Sequence, residues 1–310
     1  MTDNARRKAG NLIRIGISMG LLIWLLCRFD LEGVWGYFED LRISVWAAAF
    51  LMVLLAQVLS SIRWWIMART VSFQGSWPTY LGFYYVGMFF NLFLPTGIGG
   101  DLFKAHFLSR EEGRRVMALF TVVGDRFFGL IAMLLLGGAA VTLWSGLLPE
   151  PFAGFLTVSS LLILGGLAGL PLLQRAIRHY LPRLSRHLEG LLILWRHPKR
   201  LFCVLGLSFS LQILGMGAVA LLGGGINIHL PLSFYFASLP LIGIITLIPV
   251  SFNGIGVREG AFVYFFGLKG IAAEPAFGLG LLFFSVQVGL SLIGGIAYAL
   301  GVHRRSIIDK

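Results

Sequence analysis

Six uninterrupted apolar stretches, at 11–27, 43–62, 116–146, 152–173, 201–223 and 276–300, constrain this chain more than any other feature. Each approaches or exceeds the about 20 residues that a helix needs to cross a hydrocarbon core. A chain built this way must satisfy its backbone inside lipid, so runs of this length are expected as helices. Two further apolar segments, 79–108 and 232–268, are interrupted. The first passes through Asn91, Pro95, Gly97, Gly99 and Gly100 into Asp101; the second passes through Pro249, Asn253, Gly254 and Gly256 into Arg258 and Glu259. Proline removes a helical donor and glycine frees the backbone, so both segments are expected to bend. Interrupted hydrophobic segments at corresponding places in two halves of a membrane protein point to a transport site.

Composition narrows the class. Apolar residues make up 57% of the chain and charged residues 13%, against roughly 25% charged in soluble domains. A soluble globular fold is excluded. The 310 residues hold about eight membrane segments with short loops and little else, so one transmembrane domain over 1–310 is expected. The net charge of +11 comes from residues in loops between apolar runs, where it fits cytoplasmic placement and attraction to anionic headgroups. No basic face or recognition motif accompanies it, which argues against nucleic acid as a partner. Cys27 and Cys203 stand at the ends of apolar segments and imply neither a disulfide framework nor a metal site. No cofactor is expected. Arg6, Arg7 and Lys8 precede the first apolar run as in a secretory signal, but no small-residue cleavage site follows, so an uncleaved span is expected.

Lysine and arginine positions set the orientation. The N-terminal basic residues are assigned to the cytoplasm, and 43–62 returns the chain there at Arg63 and Arg69. If 79–95 crossed fully, Lys104, Arg110, Arg114 and Arg115 would lie outside. A segment 79–108 that dips in and returns keeps all four cytoplasmic. Residues 174–200 carry seven basic side chains, from Arg175 to Arg200, and read as a cytoplasmic loop with an interfacial amphipathic helix. Arg304, Arg305 and Lys310 place the C-terminus on the same side, so 232–268 must enter and leave from the outside. The expected fold is therefore all-α and polytopic, with about six full spans and two re-entrant helical hairpins. Units 11–146 and 152–300 form an inverted-topology repeat. Ten plain crossings with a few misplaced charges are the competing arrangement.

Charges at membrane depth cost several kcal/mol unless paired or wetted, so each is a functional candidate. These are Asp101, Lys104, Asp125, Arg126, Arg258 and Glu259. Asp125 and Arg126 are neighbours pointing about 100° apart on a helix, so each needs a partner elsewhere, and the charges at the breaks are the expected supply. Arg126, Arg258 and Lys104 are candidates to hold a headgroup phosphate, with Asp101, Asp125 and Glu259 setting the cations or binding a coupling proton. Interhelical ion pairing is the structural alternative. Asn91 and Asn253 are candidates for freed backbone groups or ligand contact. Arg63, beside Trp64 and Trp65, reads as a snorkelling anchor, and Gln57, Gln212 and Gln287 as packing groups.

Three ordered blocks carry a family resemblance: Asn91 to Asp101; Gly124, Asp125, Arg126 and Gly129; and Pro249 to Gly260. They resemble the signature blocks of the lysylphosphatidylglycerol synthase transmembrane, or flippase-like, family. The resemblance implies a multi-pass protein of a bacterial or archaeal cytoplasmic membrane with re-entrant hairpins. It also implies movement of anionic phospholipids or polyprenyl-phosphate-linked lipids rather than enzymatic conversion. Lys104 stands where an arginine is expected and keeps its charge. Two other functions compete. An integral membrane enzyme would rely on Glu39 and Asp40 in the first outer loop, although HExxH, nucleophile-elbow and P-loop patterns are missing. An accessory scaffold would dock a lipid-modifying enzyme on the 174–200 loop. A homo-oligomer is also compatible.

Overall fold

The computed structural model describes residues 36, 39, 41–93, 99–110, 113–180, 193–248 and 251–301. The expected first span at 11–27, Pro95, Gly97, Pro249, residues 181–192 of the basic loop and the basic C-terminus lie outside the described residues. Those described form nine α-helices, two short 3-10 turns and no strand. We number the helices α1 (Ile43–Thr70), α2 (Trp77–Phe93), α3 (Gly99–Ser109), α4 (Arg115–Leu143), α5 (Glu150–Tyr180), α6 (Pro198–Gly225), α7 (Leu232–Leu247), α8 (Val257–Gly267) and α9 (Ala273–Ala299). Helices α1, α4, α5, α6 and α9 are long and apolar enough to cross a membrane. The protein is an integral multi-pass membrane protein.

Both interrupted segments divide into a longer and a shorter helix, α2 with α3 and α7 with α8. The second break shows why its sequence is needed. Asn253, Gly254 and Gly256 all take positive φ, at 50°, 75° and 81°, a region open chiefly to glycine and asparagine. A Cβ on Gly254 would stand 2.2 Å from the Thr246 methyl. At the first break glycine serves a different purpose. Gly100 lies in the first turn of α3 and packs on α2 so closely that a Cβ would come within 1.7 Å of the Gly87 carbonyl oxygen.

Helix lengths repeat. The first half runs 28, 17, 11 and 29 residues from α1 to α4; the second runs 28, 16, 11 and 27 from α6 to α9. The pairings repeat too: α2 packs on α9 as α7 packs on α4. Helices α1 and α6 run antiparallel. The Arg200 guanidinium donates to the Thr70 hydroxyl at one end, Arg63 donates to Ser208 further along, and Gly225 packs against Leu41 and Val45 at the other end.

Loop contacts define two ends of the bundle. Arg114 donates to the Val71 carbonyl at 2.6 Å, so the chain leaves α3 at the end where it entered α2. Lys269 donates to the Gly146 carbonyl at 2.6 Å at the opposite end. Among the described residues, the two largest apolar clusters include Trp64, Tyr80, Phe83 and Leu108 among α1 to α3, and Phe234, Phe262, Phe265 and Leu279 among α7 to α9. Helix α5 stands apart on α4, with Leu161 and Leu162 63% and 72% exposed, as expected of a surface solvated by lipid.

Two boundaries differ from the sequence reading. Helix α1 runs to Thr70 rather than to 62, because Arg63 is compensated inside the bundle and does not end the span. Residues 174–180 continue α5 instead of starting a separate interfacial helix.

Candidate functional site

Four of the six candidate charges, Asp101, Lys104, Asp125 and Arg126, gather around the first half of α4. Asp101 is the third residue of α3, where the positive end of the helix dipole favours a carboxylate. The turn is set by Asn91, whose side-chain carbonyl accepts the Gly100 N–H at 2.8 Å. Lys104, one turn along, reaches Asp101 at 2.9 Å. Its ammonium also sits 4.4 Å from the centre of the Tyr84 ring, where the negative face of the ring attracts a cation. From α4, Arg126 pairs with the other oxygen of Asp101. One carboxylate thus serves two cations.

Asp125 turns the other way, as adjacent helical residues must. It pairs with Arg63 of α1 at 2.8 Å, while a second nitrogen of Arg63 donates to Ser208 of α6 at 2.8 Å. The Arg63 and Asp125 side chains are 4% and 3% exposed. Arg63 is therefore a buried structural cation, not the snorkelling anchor expected from its neighbouring tryptophans. The side chain of Arg126 is 42% exposed.

These groups border a cavity of about 710 Å³. Asn91, Asp101, Lys104, Asp125, Arg126 and Asn253 all line it, so both breaks contribute an asparagine. Arg63, Gln57, Gln212 and Gln287 line it as well. Gln57 and Gln212 are each the fifteenth residue of their helix, a repeat signal in the sequence that reading them as packing groups missed. Arg63 could have been found by asking which cation compensates Asp125.

Arg258 and Glu259 are absent from the lining. They hold each other at 2.6 Å, and Glu259 also accepts the Gly256 N–H at 2.7 Å, capping α8. Arg258 stacks on Phe284 at 4.6 Å and donates to Gln287 at 3.1 Å. Only Gln287, of this group, reaches the cavity. Gly99 and Gly100 sit in the first turn of α3, and Gly254 and Gly256 shape the turn before α8. Glu39 is exposed and does not line the cavity, and Asp40 lies outside the described residues. Among the described residues no three of His, Cys, Asp and Glu gather as a metal site would require.

A family model, described as the lysylphosphatidylglycerol synthase TM region, matches residues 11–295. The chain belongs to this family. Comparison with curated proteins and with solved structures found no match. Membership in the lysylphosphatidylglycerol synthase transmembrane family connects the chain with membrane lipids and agrees with the five long apolar helices. All three sequence blocks lie inside the matched range.

Proposed function

We propose that the protein moves an anionic lipid, a phospholipid or a polyprenyl-phosphate-linked lipid, between leaflets through the cavity beside α4, without altering it covalently. One observation carries this reading. The charged side chains lining the cavity are Arg63, Lys104 and Arg126 against Asp101 and Asp125, an excess of one positive charge, and the exposed member is a cation. A monoanionic headgroup would balance that excess, and a guanidinium forks well onto phosphate oxygens.

The proposed arrangement is an inverted-topology repeat with two re-entrant hairpins, α2–α3 and α7–α8. Equal helix orders in the two halves and antiparallel packing of α1 on α6 support it. Among the described residues, Arg69, Arg110, Arg114, Arg115, Lys199 and Arg200 gather at one end of the bundle, and only Arg42 and Lys269 stand at the other. By the positive-inside rule the first end is cytoplasmic.

The test is reconstitution in liposomes with fluorescent phosphatidylglycerol in both leaflets and dithionite to quench the outer one. Accelerated loss of the protected half, reduced at least tenfold in Arg126→Ala, is the expected result. Translocation of no anionic lipid, with Arg126→Ala fully functional in cells, would overturn the reading.

A further inference from the structure

A second cavity, of about 560 Å³, lies on the opposite flank of α4, walled by α1, α4, α5 and the 193–196 turn. Its character is the reverse of the first. Phe120, Phe128, Ile131, Leu162 and Leu167 are among the apolar side chains that line it. Its two threonine hydroxyls are occupied by the protein: Thr70 bonds the Ile66 carbonyl and accepts from Arg200, and Thr121 bonds the Ala118 carbonyl and accepts from Trp64. An apolar cavity of this kind stays dry and favours hydrocarbon.

The two cavities share a wall. Val123 and Phe127, one turn apart on α4 and both 57% exposed, line the charged cavity and the apolar one alike. Arg126 stands beside Phe127 with its side chain in the charged cavity. Next to the apolar groove, Leu162 is 72% exposed, so the groove opens sideways toward lipid.

Resting on the transport reading above, we infer that the α4–α5 groove holds one hydrocarbon chain of the lipid whose anionic head occupies the charged cavity. The chain lies over the Val123–Phe127 ridge, and α4 separates head from tail. Two adjoining chambers of opposite polarity match an amphiphile, whereas a free inorganic phosphate or a sugar phosphate would leave the groove empty. The chain leaves one hydrocarbon surrounding for another, so the groove holds it by close van der Waals packing rather than by transfer from water, and that packing does not depend on the headgroup.

Gly166 of α5 offers a clean test. It lines the groove, and a Cβ placed on it meets no atom within 4 Å. Gly166→Trp therefore starts an indole from an open position in the groove wall. Gly165→Trp is the control, since Gly165 is equally open and is not part of the lining. Protein in nanodiscs is irradiated with phosphatidylglycerol carrying a diazirine in one acyl chain, and adducts are mapped by mass spectrometry. We expect adducts concentrated on Phe120, Phe128 and Leu162, reduced at least fivefold in Gly166→Trp and unchanged in Gly165→Trp. If Gly166→Trp fails to insert, Gly166→Leu replaces it with a smaller expected reduction. Adducts spread evenly over the exposed faces of α5 and α9, or equal in both variants, would overturn the inference. The liposome assay separates the two proposals. Normal translocation by Gly166→Trp would remove the groove and leave transport standing. Groove adducts without translocation would retain the groove as a lipid site and remove transport.

Discussion

Arg63 and Asp125 meet at 2.8 Å inside the bundle although 62 positions separate them in the chain. Their contact ties α1 to α4 at the depth of the charged cavity, and the Ser208 hydroxyl adds α6 to the same junction. A buried pair of this kind positions elements more than it stabilises them, because desolvation offsets much of the attraction.

Removing one member of that pair leaves a bare buried charge. Arg63→Met and Asp125→Leu should each destabilise the protein by about 3–5 kcal/mol. The double variant should recover most of that loss. Thermal denaturation of the four proteins in detergent closes the cycle; equal, additive losses would show that the two side chains do not act as a pair.

Arg126 should behave differently, since Asp101 keeps Lys104 when Arg126 is shortened. Arg126→Ala is expected to leave the melting temperature within a few degrees of the parent and to weaken binding of phosphatidylglycerol added to the detergent-solubilised protein at least tenfold. Arg126→Lys should retain part of the binding, because the charge survives but the planar fork does not. Native mass spectrometry of the protein–lipid complex, read against the melting curve, checks both.

The backbone at Gly256 tests the second break. Alanine there must adopt φ of 81° and should cost about 1–3 kcal/mol. Gly206→Ala in α6, where a Cβ meets nothing within 4 Å, should be neutral or stabilising by up to about 1 kcal/mol. A matched loss in both would place the cost in glycine removal generally rather than in the turn.

Topology can be read with single cysteines in a variant lacking Cys27 and Cys203. Ser72→Cys and Gly113→Cys should react with a membrane-impermeant maleimide only from the cytoplasmic side. Gly146→Cys, Asn227→Cys and Gly270→Cys should react only from outside. Labelling of Ser72→Cys and Gly113→Cys from opposite faces would eliminate the re-entrant arrangement of α2–α3.

Much of the helical pattern was legible in the amino acids alone, because each apolar run has one low-energy answer in lipid. Helix α1 outran its expected end at 62, since a charge terminates a span only when nothing in the bundle compensates it, and Ser208 and Asp125 are remote in sequence. Of the site, the expectation that charges at the breaks pair with Asp125 and Arg126 held for Arg126, which meets Asp101, and failed for Asp125, whose partner is Arg63. The separation of Arg258 and Glu259 from the cavity was not legible, because a capping role for Glu259 depends on the conformation at Gly256, and composition carries no record of that. The two halves differ at the site. Where α4 has Asp125 and Arg126 as its eleventh and twelfth residues, α9 has Phe283 and Phe284.

Asp101 is held from two sides, by Lys104 within its own helix and by Arg126 from α4. An anion arriving at Arg126 can therefore draw that guanidinium away while Lys104 remains on the carboxylate. In the proposed transport, no ion would be stripped of its counter-charge during that exchange. If the cavity carries lipid as proposed, handover of this kind would let it load and empty repeatedly, since neither arrival nor departure would require a naked charge in a medium of low dielectric constant.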